Sequence, residues 1–202
     1  MIIRQKTKPL FIVFEGIDGA GKSAQTSMLA DRLRADEIPF ILTAEPSDGP
    51  TGRLIKSLKA RVDLEEETRL FTADRLHHVQ NVILPAIKEG KTVICDRYVY
   101  SSVAYQGARG VDPERILAEN RLFVMPDLIF LLEITVEIAL SRIRSGRSHG
   151  YSAFEVRSNL ELVNSIYESI ADPAIHRIDG SLPPEELHRE IVRIVKSRFE
   201  EK

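Results

Sequence analysis

The sequence predicts an α/β fold: a doubly wound, five-stranded parallel sheet with helices on both faces. Three observations predict it. Short apolar runs without polar alternation recur at 10–15, 40–43, 92–95, 127–134 and 174–178, as expected of strands buried on both faces of a parallel sheet. Segments of helical periodicity separate them, the alternation that builds right-handed strand–helix–strand crossovers. The first run also leads directly into Gly16-x-x-x-x-Gly21-Lys22-Ser23 and a helical segment.

That turn is the phosphate-binding loop of the P-loop NTPase fold, in the strand-to-helix setting the motif requires. Gly16, Gly19 and Gly21 allow positive φ and remove side chains. The backbone N–H groups of Gly16, Ile17, Asp18, Gly19, Ala20, Gly21, Lys22 and Ser23 can then face the phosphates of ATP. Lys22 supplies a point charge for the β- and γ-phosphates, and the Ser23 hydroxyl is placed to ligate Mg²⁺ at a helix N-terminus.

Bulk properties narrow the class. A chain of 202 residues with 43% hydrophobic content suits one domain, 1–202. Lys+Arg 28 against Asp+Glu 30 leaves a net charge of −2, so there is no global basic field for nucleic acid or anionic membrane. The single cysteine, Cys95, has no internal disulfide partner and reads as a small buried strand residue. The first ten residues are too charged for a signal peptide, and no apolar run approaches about 18–20 residues. The expectation is a soluble cytoplasmic protein.

In chain order, 10–15 is the expected central strand, followed by a helix ending before Ile38-Pro39 and a second strand at 40–43. The Gly- and Pro-rich stretch 44–52 then lies at the carboxyl end of a strand, the ligand side of an open α/β sheet. Glu45 there is either a ligand-facing or a solvated loop carboxylate. A short helix is expected at 54–60 and a long one at 65–88, with Leu70, Phe71, Ala73, Leu76, Val79, Val82 and Ile83 as its apolar stripe and Pro85 as a kink. Phe71 and Arg75, one turn apart, either present a stacking ring and a forked donor to a ligand or form an ordinary core pair.

The third strand ends in Asp96-Arg97-Tyr98. Asp96 can reach a Mg²⁺ held by Ser23, and Arg97 can pair with phosphate; a structural Asp–Arg pair is the alternative. Ser101, Ser102, Tyr105 and Gln106 then recur over one to two helical turns as a candidate base-reading face. Beyond a helix from Asp112-Pro113, the fourth strand and a helix at 136–143, Arg142, Arg144 and Arg147 crowd a Ser- and Gly-rich segment. It reads as a mobile lid at about 143–152, or else as a solvated loop. Ser152 and Glu155 spell a capping box for a helix at 152–171, and the chain ends with the fifth strand and a helix at 184–199.

Together these stretches resemble the thymidylate kinase family. The resemblance rests on Phe14-Glu-Gly-Ile-Asp-Gly-Ala-Gly-Lys-Ser23, Glu45-Pro46, Leu70-Phe-Thr-Ala-Asp-Arg75, Asp96-Arg-Tyr-Val-Tyr-Ser-Ser-Val-Ala-Tyr-Gln106 and Asp179-Gly-Ser181, and covers nearly the whole chain in order. It implies a homodimeric kinase that transfers the ATP γ-phosphoryl group to dTMP with Mg²⁺, giving dTDP. Phe71 would stack on thymine, Arg75 would bond a base carbonyl, and Ser101, Ser102 and Gln106 would surround the base edge. Tyr105 would lie under the deoxyribose and crowd a 2′-hydroxyl. Arg97 would hold the monophosphate, Asp18 and Glu45 would help position substrate and Mg²⁺, and Arg142 would pack near adenine. The loop Ile17-Asp-Gly-Ala20 carries no arginine, so Arg147 or Arg144 would join Lys22 at the transferring group. Two departures stand out: the family's usual Arg-Glu-Pro-Gly-Gly-Thr reads Ala44-Glu-Pro-Ser-Asp-Gly49 here, and Ala24 stands where Thr is usual. A P-loop kinase for another acceptor, such as dUMP or a deoxynucleoside, and a non-catalytic ATP-binding protein are the competing readings.

Overall fold

The computed structural model describes residues 8–58, 62–146 and 153–200, and their side chains except those of 145–146 and 153–156. Five parallel strands, β1 (Phe11–Glu15), β2 (Phe40–Ala44), β3 (Thr92–Asp96), β4 (Leu128–Glu133) and β5 (Ile175–Asp179), form one sheet in the order β2-β3-β1-β4-β5. All five residues of β1 are buried, which is why its sequence is apolar without alternation. The chain leaves β1 toward β2 on one side and reaches β4 and β5 on the other, so connections part at the carboxyl end of β1, where open α/β sheets bind ligands.

The helices are α1 (Lys22–Ala35), α2 (Pro50–Ser57), α3 (Leu64–His78), α4 (Leu84–Lys88), α5 (Val99–Gly107), α6 (Pro113–Asn120), α7 (Val136–Gly146), α8 (Ala153–Ser169) and α9 (Pro184–Glu200). Register does the positioning: Phe14 lies beside Asp96 on β3 and beside Phe130 on β4. The ends of β1 and β3 therefore deliver Glu15 and Asp96 to one edge of the phosphate loop.

Three expectations change. The helix expected at 54–60 begins at Pro50, because Pro is pre-shaped for the first helical turn, and ends at Ser57. The expected 65–88 helix is α3 and α4 joined by a π-helical turn, Val79–Ile83, in which the Leu84 N–H donates to Val79 O. Pro85 has no N–H to give and its ring crowds the carbonyl four residues back, so the turn before it is widened. The buried face of α3 is also not the apolar stripe. Thr68, Asp74, Arg75 and His78 are buried, Leu70 and Phe71 are half-buried, and Leu76 is 45% exposed. Further on, α7 runs to Gly146, so the first residues assigned to a lid are its last turn. Arg147, Ser152 and the Glu155 side chain lie outside the described residues.

Candidate active site

The phosphate loop is held by close approach. A Cβ on Gly16 (φ +134) would sit 2.6 Å from Leu132 O, and one on Gly19 (φ +83) 2.8 Å from Ala139 O. Both positions need glycine for conformation and for space. Ile17 and Ala20 turn their side chains into the core, leaving only their backbone for a ligand. Arg142 Nη1 donates to Gly19 O (3.3 Å) and Gly180 O (3.0 Å), binding α7 to the loop and to the β5–α9 turn. A cavity of about 490 Å³ opens there, lined by residues that include Gly16, Thr135, Ile138, Asp179 and Ser181.

Lys22 Nζ donates to Gly16 O and Ile17 O, both at 2.9 Å, and is only 6% exposed. Burial, reinforced by the Arg97 charge, pushes its ammonium down to about 7 against the pull of Asp96, Asp18 and Glu15. Ser23 Oγ donates to Asp96 Oδ2 at 2.6 Å, and the other oxygen, Asp96 Oδ1, is buried without a partner. An orphaned carboxylate oxygen beside a hydroxyl at a helix N-terminus is a donor set that fits Mg²⁺. No group of three or more His, Cys, Asp or Glu side chains suited to a metal occurs among the described residues.

Arg97 links the loop to α5. Its backbone sits at φ +73, a strained conformation that commonly marks a functional position. Its guanidinium reaches Asp18 Oδ1 (2.6 Å), Ser101 Oγ (3.1 Å) and Gly16 O (3.4 Å), and lies 5.0 Å above the Tyr105 ring. The Asp18 N–H donates to the Tyr105 hydroxyl at 3.1 Å. Behind this group lies Glu15, which sequence reasoning did not single out. Its Oε1 accepts the Tyr98 and Ser101 backbone N–H groups (2.9 and 3.1 Å), and its Oε2 accepts the Ser101 and Tyr167 hydroxyls (2.5 and 2.9 Å). A carboxylate from β1 thus caps the N-terminus of α5, although desolvation raises its pKa. Ser101, expected at the base edge, is committed to Glu15 and Arg97.

The acceptor side is a buried polar seam. Arg75 donates through Nε to Glu45 Oε2 (2.9 Å), through Nη1 to Asn120 Oδ1 (2.6 Å), and through Nη2 to Tyr98 O (3.1 Å) and Ser102 Oγ (2.9 Å). Four of its five N–H donors thus serve the protein, on a side chain that is itself fully buried. Both Glu45 oxygens are engaged, Oε2 by Arg75 and Oε1 by His78 Nδ1 at 3.1 Å, so Glu45 holds Arg75 in place. Asp74 accepts the Ser47 N–H (2.7 Å) and hydroxyl (2.6 Å), pinning the 44–49 turn. Phe71 is half-buried and is not part of the core cluster. Gln106 is buried with Oε1 unpartnered. Of the arginines assigned to the transferring group, Arg144 is exposed on α7.

The seam residues Asp74, His78 and Asn120 escaped sequence reasoning, and so did Tyr167. The readable signal was the dense polarity of 74–78 within a helix otherwise required to pack.

A family model described as thymidylate kinase matches residues 14–191. Among similar curated proteins, the thymidylate kinase of Desulfotalea psychrophila is 44% identical over 188 residues, 92% of this chain and 93% of its own. The thymidylate kinase of Brachyspira hyodysenteriae is 41% identical, covering 94% of each chain. The probable thymidylate kinase of Thermococcus onnurineus is 40% identical, covering 93% of this chain and 97% of its own. The chain belongs to the thymidylate kinase family.

Proposed function

We propose that this protein is an ATP-dependent kinase that transfers the γ-phosphoryl group to the phosphate of dTMP, giving dTDP and ADP. The observation that carries the reading is Arg97, a cation set between the donor loop at Gly16 and Asp18 and the helix bearing Ser102, Tyr105 and Gln106. An acceptor phosphate is already ionised, so no strong general base is needed, and catalysis is positioning plus charge neutralisation.

On the donor side, the backbone of residues 16–23 cradles the phosphates and Lys22 moves from the loop carbonyls to the β- and γ-oxygens. Arg142 borders the nucleotide. We assign Mg²⁺ to Ser23 and Asp96, on the orphaned Asp96 oxygen; when bound it would neutralise phosphate charge there. On the acceptor side, Arg97 holds the monophosphate, with Asp18 and Ser101 fixing its guanidinium. Phe71 stacks on the base, Gln106 Oε1 accepts from thymine N3–H, and the remaining Arg75 N–H bonds a base carbonyl beside Ser102. Tyr105 crowds the 2′ position. Arg144 is the described candidate for the further cation at the transferring group, and Arg147 the other.

We further propose one kinase domain whose lid lies at about 143–152, acting in the cytoplasm, where ATP is supplied and Cys95 stays reduced. No helix among the described residues is long and apolar enough to cross a membrane. A homodimer is supported by the exposed Leu54 on α2, Leu58 just past its end, Leu76 on α3 and Leu42 on the edge strand β2. The test is Arg97→Ala: dTMP-dependent ADP release falls by about 10²–10³, the scale of one preorganised transition-state contact. Wild-type turnover in that variant would remove the assignment.

A further inference from the structure

His78 has no part in the reading above, yet it is fully buried and both ring nitrogens are engaged. Nε2 lies 2.7 Å from Thr43 Oγ1 on β2, and Nδ1 lies 3.1 Å from Glu45 Oε1. One tautomer satisfies the whole line. The Glu45 carboxylate only accepts, so Nδ1 carries the hydrogen and donates, leaving Nε2 to accept from the Thr43 hydroxyl. Glu45 Oε2 then accepts from Arg75. The Thr43 and His78 bonds both point toward Glu45, whose carboxylate receives them on one oxygen and the Arg75 guanidinium on the other.

The geometry points to His78 and Thr43 as positioning residues for acceptor recognition. They hold Glu45 in the orientation in which its second oxygen fixes Arg75 beneath the base-reading residues of α5. The inference rests on the dTMP kinase reading. Two facts support it beyond burial alone. A buried ion pair is a poor source of net stability, so a pair carrying a further histidine and threonine beneath α5 is better explained by orientation. The same carboxylate also follows β2 directly, with the Glu45 N–H bound to Asp96 O. Its backbone is therefore already fixed, and only the side-chain torsions remain for His78 to set.

The test uses His78→Gln, His78→Asn, His78→Leu and Thr43→Val in the full chain, with KM for dTMP, KM for ATP and kcat from ADP release, and thermal melting alongside. An Asn amide sits near the Nδ1 position and can still donate to Glu45; a Gln amide sits near Nε2 and can still meet Thr43. The expected result is a KM for dTMP raised about tenfold in His78→Gln and His78→Leu and about threefold in Thr43→Val, with partial rescue in His78→Asn. KM for ATP should stay within about threefold in all four, since the donor loop is untouched. An unchanged KM for dTMP in His78→Leu overturns the inference. So does a parallel rise in both KM values that follows the melting temperature across the series. If His78→Leu fails to fold, Thr43→Val decides by the same criterion. Absence of dTMP-dependent ADP release in the wild-type protein would instead sink the kinase reading itself.

Discussion

Replacing Arg75 by lysine keeps the charge and removes the fork. In the native protein the guanidinium joins four elements: Glu45 after β2, Tyr98 and Ser102 at the start of α5, and Asn120 at the end of α6, from its own place on α3. An ammonium can stay near Glu45 but cannot span the other three acceptors. The Ser102 hydroxyl can rotate to another partner. Asn120 Oδ1 cannot turn away at no cost, because its Nδ2 is already bonded to Ile116 O at 2.7 Å, and the Tyr98 carbonyl is fixed backbone. Two buried acceptors lose their donors at about 1–3 kcal/mol each, so Arg75→Lys should cost roughly 2–6 kcal/mol. That is a large fraction of the ~5–15 kcal/mol that typically separates folded from unfolded chains. Arg75→Met should cost at least as much, because it leaves Glu45 without its main counter-charge, a loss of about 3–5 kcal/mol by itself. Urea denaturation of Arg75→Lys, Arg75→Met, Glu45→Gln and the Met/Gln double variant measures this. The double variant should be less destabilised than the sum of its parts by about 1–3 kcal/mol. Arg75→Lys within about 0.5 kcal/mol of wild type, or a strictly additive cycle, would refute the view of Arg75 as the tie among these elements.

Other parts of the site give equally direct expectations. In the nucleotide-free protein the buried Lys22 titrates at about 7, below its unfolded value of about 10.4. Between those values the unfolded chain binds the extra proton, so the Lys22 contribution makes stability rise with pH across that window. Nucleotide phosphates reverse the shift: binding of ATP at pH 8 should take up about one proton, seen as a dependence of calorimetric enthalpy on buffer ionisation that Lys22→Met abolishes. Gly52→Ala would put a Cβ 2.1 Å from Ser47 O and 2.7 Å from Asp74 Oδ1; overpacking of this kind costs about 1–3 kcal/mol, and KM for dTMP should rise more than KM for ATP. Tyr105→Ala should improve the kcat/KM of a ribose acceptor relative to its deoxy counterpart, and an unchanged ratio would remove Tyr105 from sugar selection.

The parallel sheet was legible because strands such as Phe11–Glu15 and Leu128–Glu133 are buried on both faces and so are written as unbroken apolar runs. The donor half of the site was legible for a different reason. Gly16 to Ser23 is local, and a loop built from backbone N–H groups must spell its geometry in consecutive glycines. The acceptor half is assembled from long-range pairs: Ser47 with Asp74, Glu45 with Arg75 and His78, Glu15 with Ser101 and Tyr167. Nothing in the periodicity of 64–78 says that its polar residues face inward, because a buried Thr68, Asp74, Arg75 and His78 have the composition of a solvated face. The apolar stripe therefore includes the exposed Leu76 beside Val79 and Ile83, which are buried as expected. Glu15 was hidden similarly, read as the end of a strand when its carboxylate caps the N-terminus of α5.

Acceptor-dependent ADP release with Mg-ATP, measured as kcat/KM for dTMP, dUMP, UMP, dCMP and thymidine on the wild-type protein, tests the dTMP kinase activity head-on. dTMP should come first. Loss of the 5-methyl group in dUMP should cost about 10–200-fold, the range for one methyl in a packed pocket. UMP should be poorer still, because it also adds the 2′-hydroxyl that Tyr105 crowds. Thymidine should be inert, because Arg97 has no phosphate to hold. Turnover of thymidine above dTMP, or ADP release indifferent to every acceptor, would contradict it.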